Sequence, residues 1–578
     1  MMLPFDKRKS DSLVWERWCS NAEKYPNKDA IVHWVAGEKP YRWTFKRLLH
    51  TSAAIAALLR RNGVRNGEVC AIIIKHNPYF YPLYLAVSAI GAIPAVLAYP
   101  NARLHPDKFR QSLAGMSQHS GLDWIFTERA LEETITPLVF HDKSTIRGLH
   151  FPLEWLKKES HKDQNYIDEL KEIEELRGSM RPSDPVLLQH SSGTTGLQKG
   201  VMLSHQAILD HVTYYGIALN LTKNDKIINW LPLYHDMGLI AAFQLPLAFG
   251  ITTVQIDPFE WVLYPLLLLE AITKEKGTLA WLPNFAYNLM AEKIHEDALA
   301  HIDLGSIRML INCSEPVRAE SHEIFFRRFS KCGLKRRSLT ACYAMAETTF
   351  AVTQTTPGEP AAVVVVDRDA LAKGTIKLAE ASFAGPVRRC VSSGQPIAGV
   401  LLRIIGQDGS DLEDDTVGEI VIRSASLFNG YKNNPKMTAM VFKDGWYCSG
   451  DYGFRHKDEY FMVGRKKDII IVAGKNIYPE DIEDAISRVP GVAPGRVVAF
   501  GEEDSEMGTE RIGVIAEIKP AVQTDKNELK KLIYSAGLAM DLTITKIYLV
   551  PPRWLIKSSS GKPSRKINKE RILQLEPQ

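Results

Sequence analysis

Apolar and polar positions follow two different periods along this chain, and the switch between them marks out its elements. Leu48, Ser52, Ile55 and Leu59 recur at helical spacing and define one face of a helix that opens near Thr44 and stops at Asn62-Gly63. Val69 to Ile74 is an unbroken apolar run, the pattern of a strand buried on both faces of a mainly parallel sheet. Tyr79 to Pro100 runs 22 residues without a charge, long enough to span a bilayer. Pro82, Pro94, Pro100 and Gly91 interrupt it, so it is read instead as a buried helix from about Pro82 to Ala89, a turn, and a core strand from Ile93 to Leu97. Leu156 to Arg177 is charged and weakly amphipathic, and predicts a solvated helix.

The pattern changes after Pro357. Ala361 to Val366 reads as one strong strand followed by mixed polar sequence, while Leu401 to Ile405 and Glu419 to Arg423 read as strands around an acidic turn, Asp408 to Asp415. A small β-rich subdomain is expected there. Tyr460 to Val463 and Ile469 to Val472 are strands on either side of a charged joint, Gly464 to Asp468. Pro479 opens a helix whose first turns carry Glu480, Asp481, Glu483 and Asp484, favourable for the helix dipole, with Ile482, Ile486 and Val489 on the apolar face. Strands at Val497 to Phe500, Ile512 to Ile518 and Ile547 to Val550, with a helix from about Asp525 to Ala536, complete a compact α+β unit.

At 578 residues the chain exceeds a single core, and several subdomains are expected. With 45% apolar and 24% charged residues it has an ordinary globular composition, and 71 basic against 67 acidic residues imply neither a nucleic-acid nor a membrane partner. Seven scattered cysteines, never spaced CxxC, argue against structural zinc and a disulfide framework and fit a reducing cytoplasm. The first residues contain no apolar run suited to a signal peptide.

The densest chemistry lies between Leu188 and His205. A strand, Val186 to Leu188, enters a loop of hydroxyls and glycines (Ser191, Ser192, Gly193, Thr194, Thr195, Gly196) that ends in Lys199 and Gly200. Such a loop turns N–H groups and hydroxyls inward and cradles phosphate oxygens; its bland alternative is a glycine-rich surface turn. It is not the Walker pattern, because Leu197-Gln198 follows Gly196 where Lys-Ser/Thr would be required.

Five further motifs follow in order: LPLYHDMGL (231–239), LPNFAY (282–287), CYAMAETT (342–349), GWYCSGD (445–451) with GRKKDIII (464–471), and KSSSGKPSRK (557–566). With these, the sequence resembles the adenylate-forming superfamily of acyl-CoA synthetases, luciferases and peptide-synthetase adenylation domains, and within it the fatty acyl-AMP ligases. The likeness runs from about Ser12 to Lys566. It implies an α/β fold: a large adenylation domain, 1–465, of mixed sheets plus the β-rich subdomain, with an insertion at about 357–386, and a small mobile α+β domain, 466–578.

The resemblance also implies ATP and Mg²⁺, a fatty or related carboxylic acid as substrate, and an acyl carrier protein as acceptor. A carboxylate would attack the α-phosphorus, so two anions must meet, and the work is charge neutralisation and positioning. Ser192, Gly193, Thr194, Thr195, Gly196 and Lys199 would hold phosphates. Glu347, with Thr195, would hold Mg²⁺. Tyr343, Ala344, Ser314 and Glu315 would surround the adenine, and Asp451 and Arg465 the ribose. Lys562 would bridge the carboxylate and the α-phosphate, His235 would stand where nucleotide and acyl pocket meet, and Lys467 would be the hinge. Trp230, Met237, Phe285 and Tyr287 are candidates for the acyl pocket, with core packing as the alternative.

The chain departs from the family at two places near the adenine: Ala344 where glycine is usual after the tyrosine, and Cys313-Ser314 before Glu315-Pro316 where Gly-Ala is usual. The 47 positions from Glu347 to Gly394 exceed what CoA ligases use between these motifs, and Ile471 replaces a lysine that several of them carry. Both features favour a carrier-protein thiol over free CoA. A CoA ligase and a nucleotide- or acyl-binding regulator without turnover stand as rivals. Lys562, Glu347 and Asp451 are all present, which speaks against the regulator.

Overall fold

The computed structural model describes residues 13–100, 106–159, 167–190, 199–473, 475–504, 509–520, 525–557 and 563–575. The mixed α/β architecture expected from the sequence is present. Its centre is a nine-stranded sheet in the order Gln395–Pro396, Ala351–Gln354, Leu339–Ala344, Met309–Asn312, Leu279–Leu282, Lys226–Asn229, Thr252–Ile256, Asp29–Trp34, Tyr41–Thr44. The six strands from Leu339–Ala344 to Asp29–Trp34 run parallel, so their carboxyl ends share one edge. Ligand sites of open α/β sheets gather at such edges.

A second sheet is fully parallel: Ile93–Val96, Val69–Ile73, Trp124–Thr127, Gly148–His150. Every residue of Val69–Ile73 is buried, as its uninterrupted apolar run requires. The Phe45–Arg61 helix is capped by the Thr44 side chain and buries Leu48, Ser52, Ile55 and Leu59. The uncharged stretch resolves into the buried helix Phe80–Ala89 and the strand Ile93–Val96, and no helix among the described residues is long and apolar enough to cross a membrane.

One expectation is corrected. The charged stretch after Leu156 contributes to two helices, Pro152–Glu159 and Ile167–Arg177, and the second is not merely solvated. Ile173 is buried in the main core, Arg177 pairs with Glu16 at 2.8 Å, and Glu172 pairs with Arg60. Leu170 packs against the same core beside Ile173, and the charged residues around them keep the apolar stripe narrow.

The β-rich subdomain is an antiparallel sheet of Val400–Ile405, Gly418–Ser424, Trp446–His456, Phe442–Lys443 and Glu459–Arg465. Beyond it, Val492–Asp504, Thr509–Ile518 and Ile544–Val550 form a separate three-stranded sheet, covered by the Pro479–Ser487 and Lys526–Leu538 helices. Ile482, Ile486 and Val489 enter a hydrophobic cluster drawn wholly from residues 470–549, distinct from the core of the large sheets. In the strand Ile470–Val472 the side chains alternate: Ile470 is buried, whereas Ile471 is 52% exposed and is not a core residue.

Candidate active site

A cavity of about 520 Å³ opens between the carboxyl edge of the large sheet and the C-terminal unit. Ser314, Glu315, Tyr343, Ala344, Asp451, Arg465 and Lys467 all line it. They come from four separate motifs, brought together because Met309–Asn312 and Leu339–Ala344 are adjacent parallel strands while Trp446–His456 and Glu459–Arg465 pair as an antiparallel hairpin that leads into the joint.

Asp451 and Arg465 are direct cross-strand partners, with Nε 3.1 Å from a carboxylate oxygen. The other oxygen of Asp451 accepts the Tyr343 hydroxyl at 2.7 Å. One carboxylate therefore fixes both a ring and a guanidinium. Burial, together with the Asp451 charge, pushes the Tyr343 phenol well up, and Asp451 holds Arg465 firmly charged. Lys467 sits in the one-turn helix Lys466–Asp468, and burial and the Arg465 charge push its ammonium down.

Glu347 lies in a second group. Its carboxylate accepts the Tyr431 hydroxyl at 2.8 Å, and Lys199 at the end of the phosphate loop stands 4.8 Å over the Tyr431 ring. The loop's Ser192, Gly193, Thr194, Thr195 and Gly196 lie outside the described residues, as does Lys562. Pro563 and Ser564, just after Lys562, line the cavity. The backbone is strained on both sides of the nucleotide motifs: Ser314 has φ 84° and Thr349 φ 69°. A β-branched residue in that region is a true outlier, and such strain tends to collect at functional sites.

The Asp236 carboxylate lies 2.7 Å from His235 Nδ1 and accepts the Met237 N–H. Ser314 Oγ reaches Met237 Sδ at 3.8 Å, which connects this turn to the cavity wall. Gly238 is required here, because a Cβ would lie 2.3 Å from the Pro232 carbonyl oxygen. Gly238→Ala is expected to lose about 1–3 kcal/mol of stability, the usual scale of overpacking. Urea unfolding checks this, and an unshifted midpoint would show that the turn yields.

The apolar candidates divide. Trp230 and Phe285 meet edge-on, and both also contact Trp261, which the sequence reading missed: it stacks on Trp230 at 3.6 Å and is fully buried. Tyr287 is elsewhere, packed on His322 and Phe325, because it lies two residues beyond Phe285 and so on another face of the Asn284–Lys293 helix. Also missed was Arg565, whose guanidinium holds Glu483 at 2.8 Å, Asp468 at 2.8 Å and Glu480 at 2.9 Å. Its position inside the Lys562 motif was a signal. Arg318 was missed with less warning: it lines the cavity and pairs with Asp484 of the Pro479–Ser487 helix.

The parallel-sheet edge, the cavity at a two-unit seam and the grouped motifs define an adenylate-forming ligase. The chain belongs to the AMP-binding enzyme family, which matches residues 18–432, and it is an acid–AMP ligase of the fatty acyl-AMP ligase kind. FadD30 of Mycobacterium tuberculosis, named as a long-chain-fatty-acid–AMP ligase, is 32% identical over 65% of this chain and 68% of its own. JamA of Moorena producens, a medium-chain-fatty-acid–[acyl-carrier-protein] ligase, is 32% identical over 67% of each. A Caulobacter vibrioides protein named as an acyl-CoA synthetase is 26% identical over 92% of this chain and 90% of its own. The solved fatty acyl-adenylate ligase of L. pneumophila, in complex with acyl adenylate and pyrophosphate, is 27% identical, covering 98% of this chain and 97% of its own, with a TM-score of 0.73.

Proposed function

We propose that the protein activates a fatty acid as acyl-AMP and passes the acyl group to the phosphopantetheine thiol of a carrier protein. A carboxylate oxygen bonds to the α-phosphorus of ATP, the bond to the β-phosphate breaks, and pyrophosphate leaves. The thiol sulfur, having lost its proton, then attacks the acyl carbonyl, and AMP leaves. The observation that carries this reading is the cavity in which Ser314, Tyr343, Asp451 and Arg465 meet the flank of the Lys562 motif.

In this reading Tyr343 packs against adenine beside Ser314, Glu315 and Ala344, and the preset Asp451–Arg465 pair receives the ribose. Thr194, Thr195, Gly196 and Lys199 hold the phosphates. Glu347 suits Mg²⁺: one oxygen takes a neutral hydroxyl, and no ion pair among the described residues claims the carboxylate. Mg²⁺ is usually held by one or two carboxylates plus substrate phosphates, and it would neutralise charge on them. His235 and Met237 stand between nucleotide and acyl group, Trp230 and Phe285 flank the tail, and Lys467 is the hinge. The domain boundary at 465–466 falls at this joint.

Asp451→Asn keeps the shape but removes the charge that orients Arg465. ATP affinity is expected to fall about tenfold, or roughly 1.4 kcal/mol. Calorimetric titration checks it, and unchanged affinity would remove Asp451 from nucleotide binding. The function itself is tested by screening carboxylic acids for pyrophosphate release with mass-spectrometric detection of acyl-AMP. No adenylate from any acid would leave a binding protein instead.

A further inference from the structure

Asn284, the third residue of the LPNFAY motif, opens the Asn284–Lys293 helix, and its side chain is buried although Phe285 beside it is half-exposed. The amide oxygen accepts the Arg318 backbone N–H at 3.0 Å and the Asn312 side-chain N–H at 2.9 Å. The amide nitrogen donates to the Pro316 carbonyl at 3.0 Å. These three bonds grip both ends of the segment 313–318, which belongs to no helix or strand and sets Ser314, Glu315, Pro316 and Arg318 on the cavity wall. Aspartate would lack the donor for Pro316, and glutamine would be a methylene too long.

The segment ends in Arg318, whose guanidinium pairs with Asp484 of the Pro479–Ser487 helix. The same helix carries Glu480 and Glu483, which clasp Arg565, and Arg565 lines the cavity with Pro563 and Ser564. A continuous series of bonds therefore runs from Asn284, through Arg318 and the acidic helix, to the flank of the Lys562 motif. Asp484 also pairs with Arg488 on its own helix, so removing Arg318 leaves no orphaned acid. Arg318 is thus placed for the docking of the C-terminal unit rather than for its folding.

We propose that Asn284 and Arg318 are positioning residues for adenylation. Asn284 fixes Arg318, and Arg318 latches the Pro479–Ser487 helix in the pose that brings the Lys562 motif to the cavity. The proposal rests on the role given to Lys562 above and deepens it, since both residues act through Lys562 and not on the substrate. A latch sets how often the productive pose is occupied, so its loss lowers turnover while the nucleotide keeps its own contacts.

The test is pyrophosphate release by the full chain with an acid that it adenylates. Arg318→Ala is expected to lower kcat on the order of tenfold, within the scale of misplacing a catalytic group from a distance, with the KM for ATP nearly unchanged. In a Lys562→Ala background the same substitution should slow the reaction no further, because nothing is left for the latch to position. Asn284→Ala should also lower kcat, and its loss should not multiply with that of Arg318→Ala. Losses that multiply with Lys562→Ala, an effect confined to the KM for ATP, or an unchanged kcat each overturn the proposal. Hydrogen exchange reads the latch without activity: amides of the Pro479–Ser487 helix should exchange faster in Arg318→Ala, and equal protection overturns it as well. If Asn284→Ala does not fold, Asp484→Ala reads the same latch from the other side. Faster exchange in a chain that releases no pyrophosphate with any acid would sink the ligase reading while leaving the latch standing.

Discussion

Lys562→Ala is expected to slow acyl-AMP formation by on the order of a hundredfold or more while leaving ATP binding nearly unchanged. The carboxylate and the α-phosphate repel each other on approach, and a cation between them gains most where charge is shared in the transition state. A contact that strengthens only there lowers turnover without weakening ground-state affinity. The motif around Lys562 is anchored independently of it. Arg565 forks onto Glu483 and reaches Asp468 and Glu480, while Pro563 and Ser564 line the cavity. The substitution should therefore leave the motif seated. Pyrophosphate release at saturating ATP, with a separate ATP titration, measures the two quantities, and full release by the variant would remove Lys562 from the mechanism.

Deleting residues 361–385 is expected to raise acyl-CoA formation on the order of tenfold from a low level while adenylation continues. Its strand Val363–Asp367 pairs with Val387–Val391, just beyond the deleted residues, and Val366, Leu371 and Ile376 share a hydrophobic cluster with Tyr478, the residue that precedes the acidic helix of the C-terminal unit. At its base Arg388 pairs with Asp481 of that helix at 3.2 Å and lies over the Tyr478 ring. Arg388 and Asp481 both survive the deletion, which instead removes Val366, Leu371 and Ile376 from the hydrophobic cluster that holds Tyr478 and so loosens the docking of the two units. A restrained unit cannot readily turn to admit free CoA, whereas a carrier protein brings its thiol with binding energy of its own. Arg388→Ala tests the same restraint without a deletion and should shift the products the same way. Wild-type turnover to acyl-CoA at the adenylation rate would sink the carrier-protein reading, and unchanged products in both variants would make the segment a neutral surface loop.

Much of the site was legible because its residue types are improbable for any other purpose. A loop of hydroxyls and glycines closed by Lys199, a lone Glu347 after a buried strand, and Asp451 ahead of Arg465 each announce charge handling within a short stretch. The chain order of the motifs was also sufficient for the family. The aromatic candidates were less legible. Trp230, Phe285 and Tyr287 are all apolar, and sequence does not say which of two helix faces points at a pocket, so Tyr287 was grouped with residues it does not touch, and Trp261 was passed over. The exposure of Ile471 was not legible either, since a run of four aliphatic residues hides which of them point out.

The sequence by itself determined the periods of the elements, the breaks that proline and glycine impose, and the chemistry each motif can perform, because all of these are local properties of a few neighbouring residues. Only the tertiary structure decided which motifs meet. Tyr343 finds Asp451 across 108 positions, Tyr431 finds Glu347 across 84, and Arg318 finds Asp484 across 166. Those meetings follow from the order of strands in the sheet and from the docking of the C-terminal unit. Both are set by the burial of apolar faces that are contiguous in space and scattered in sequence.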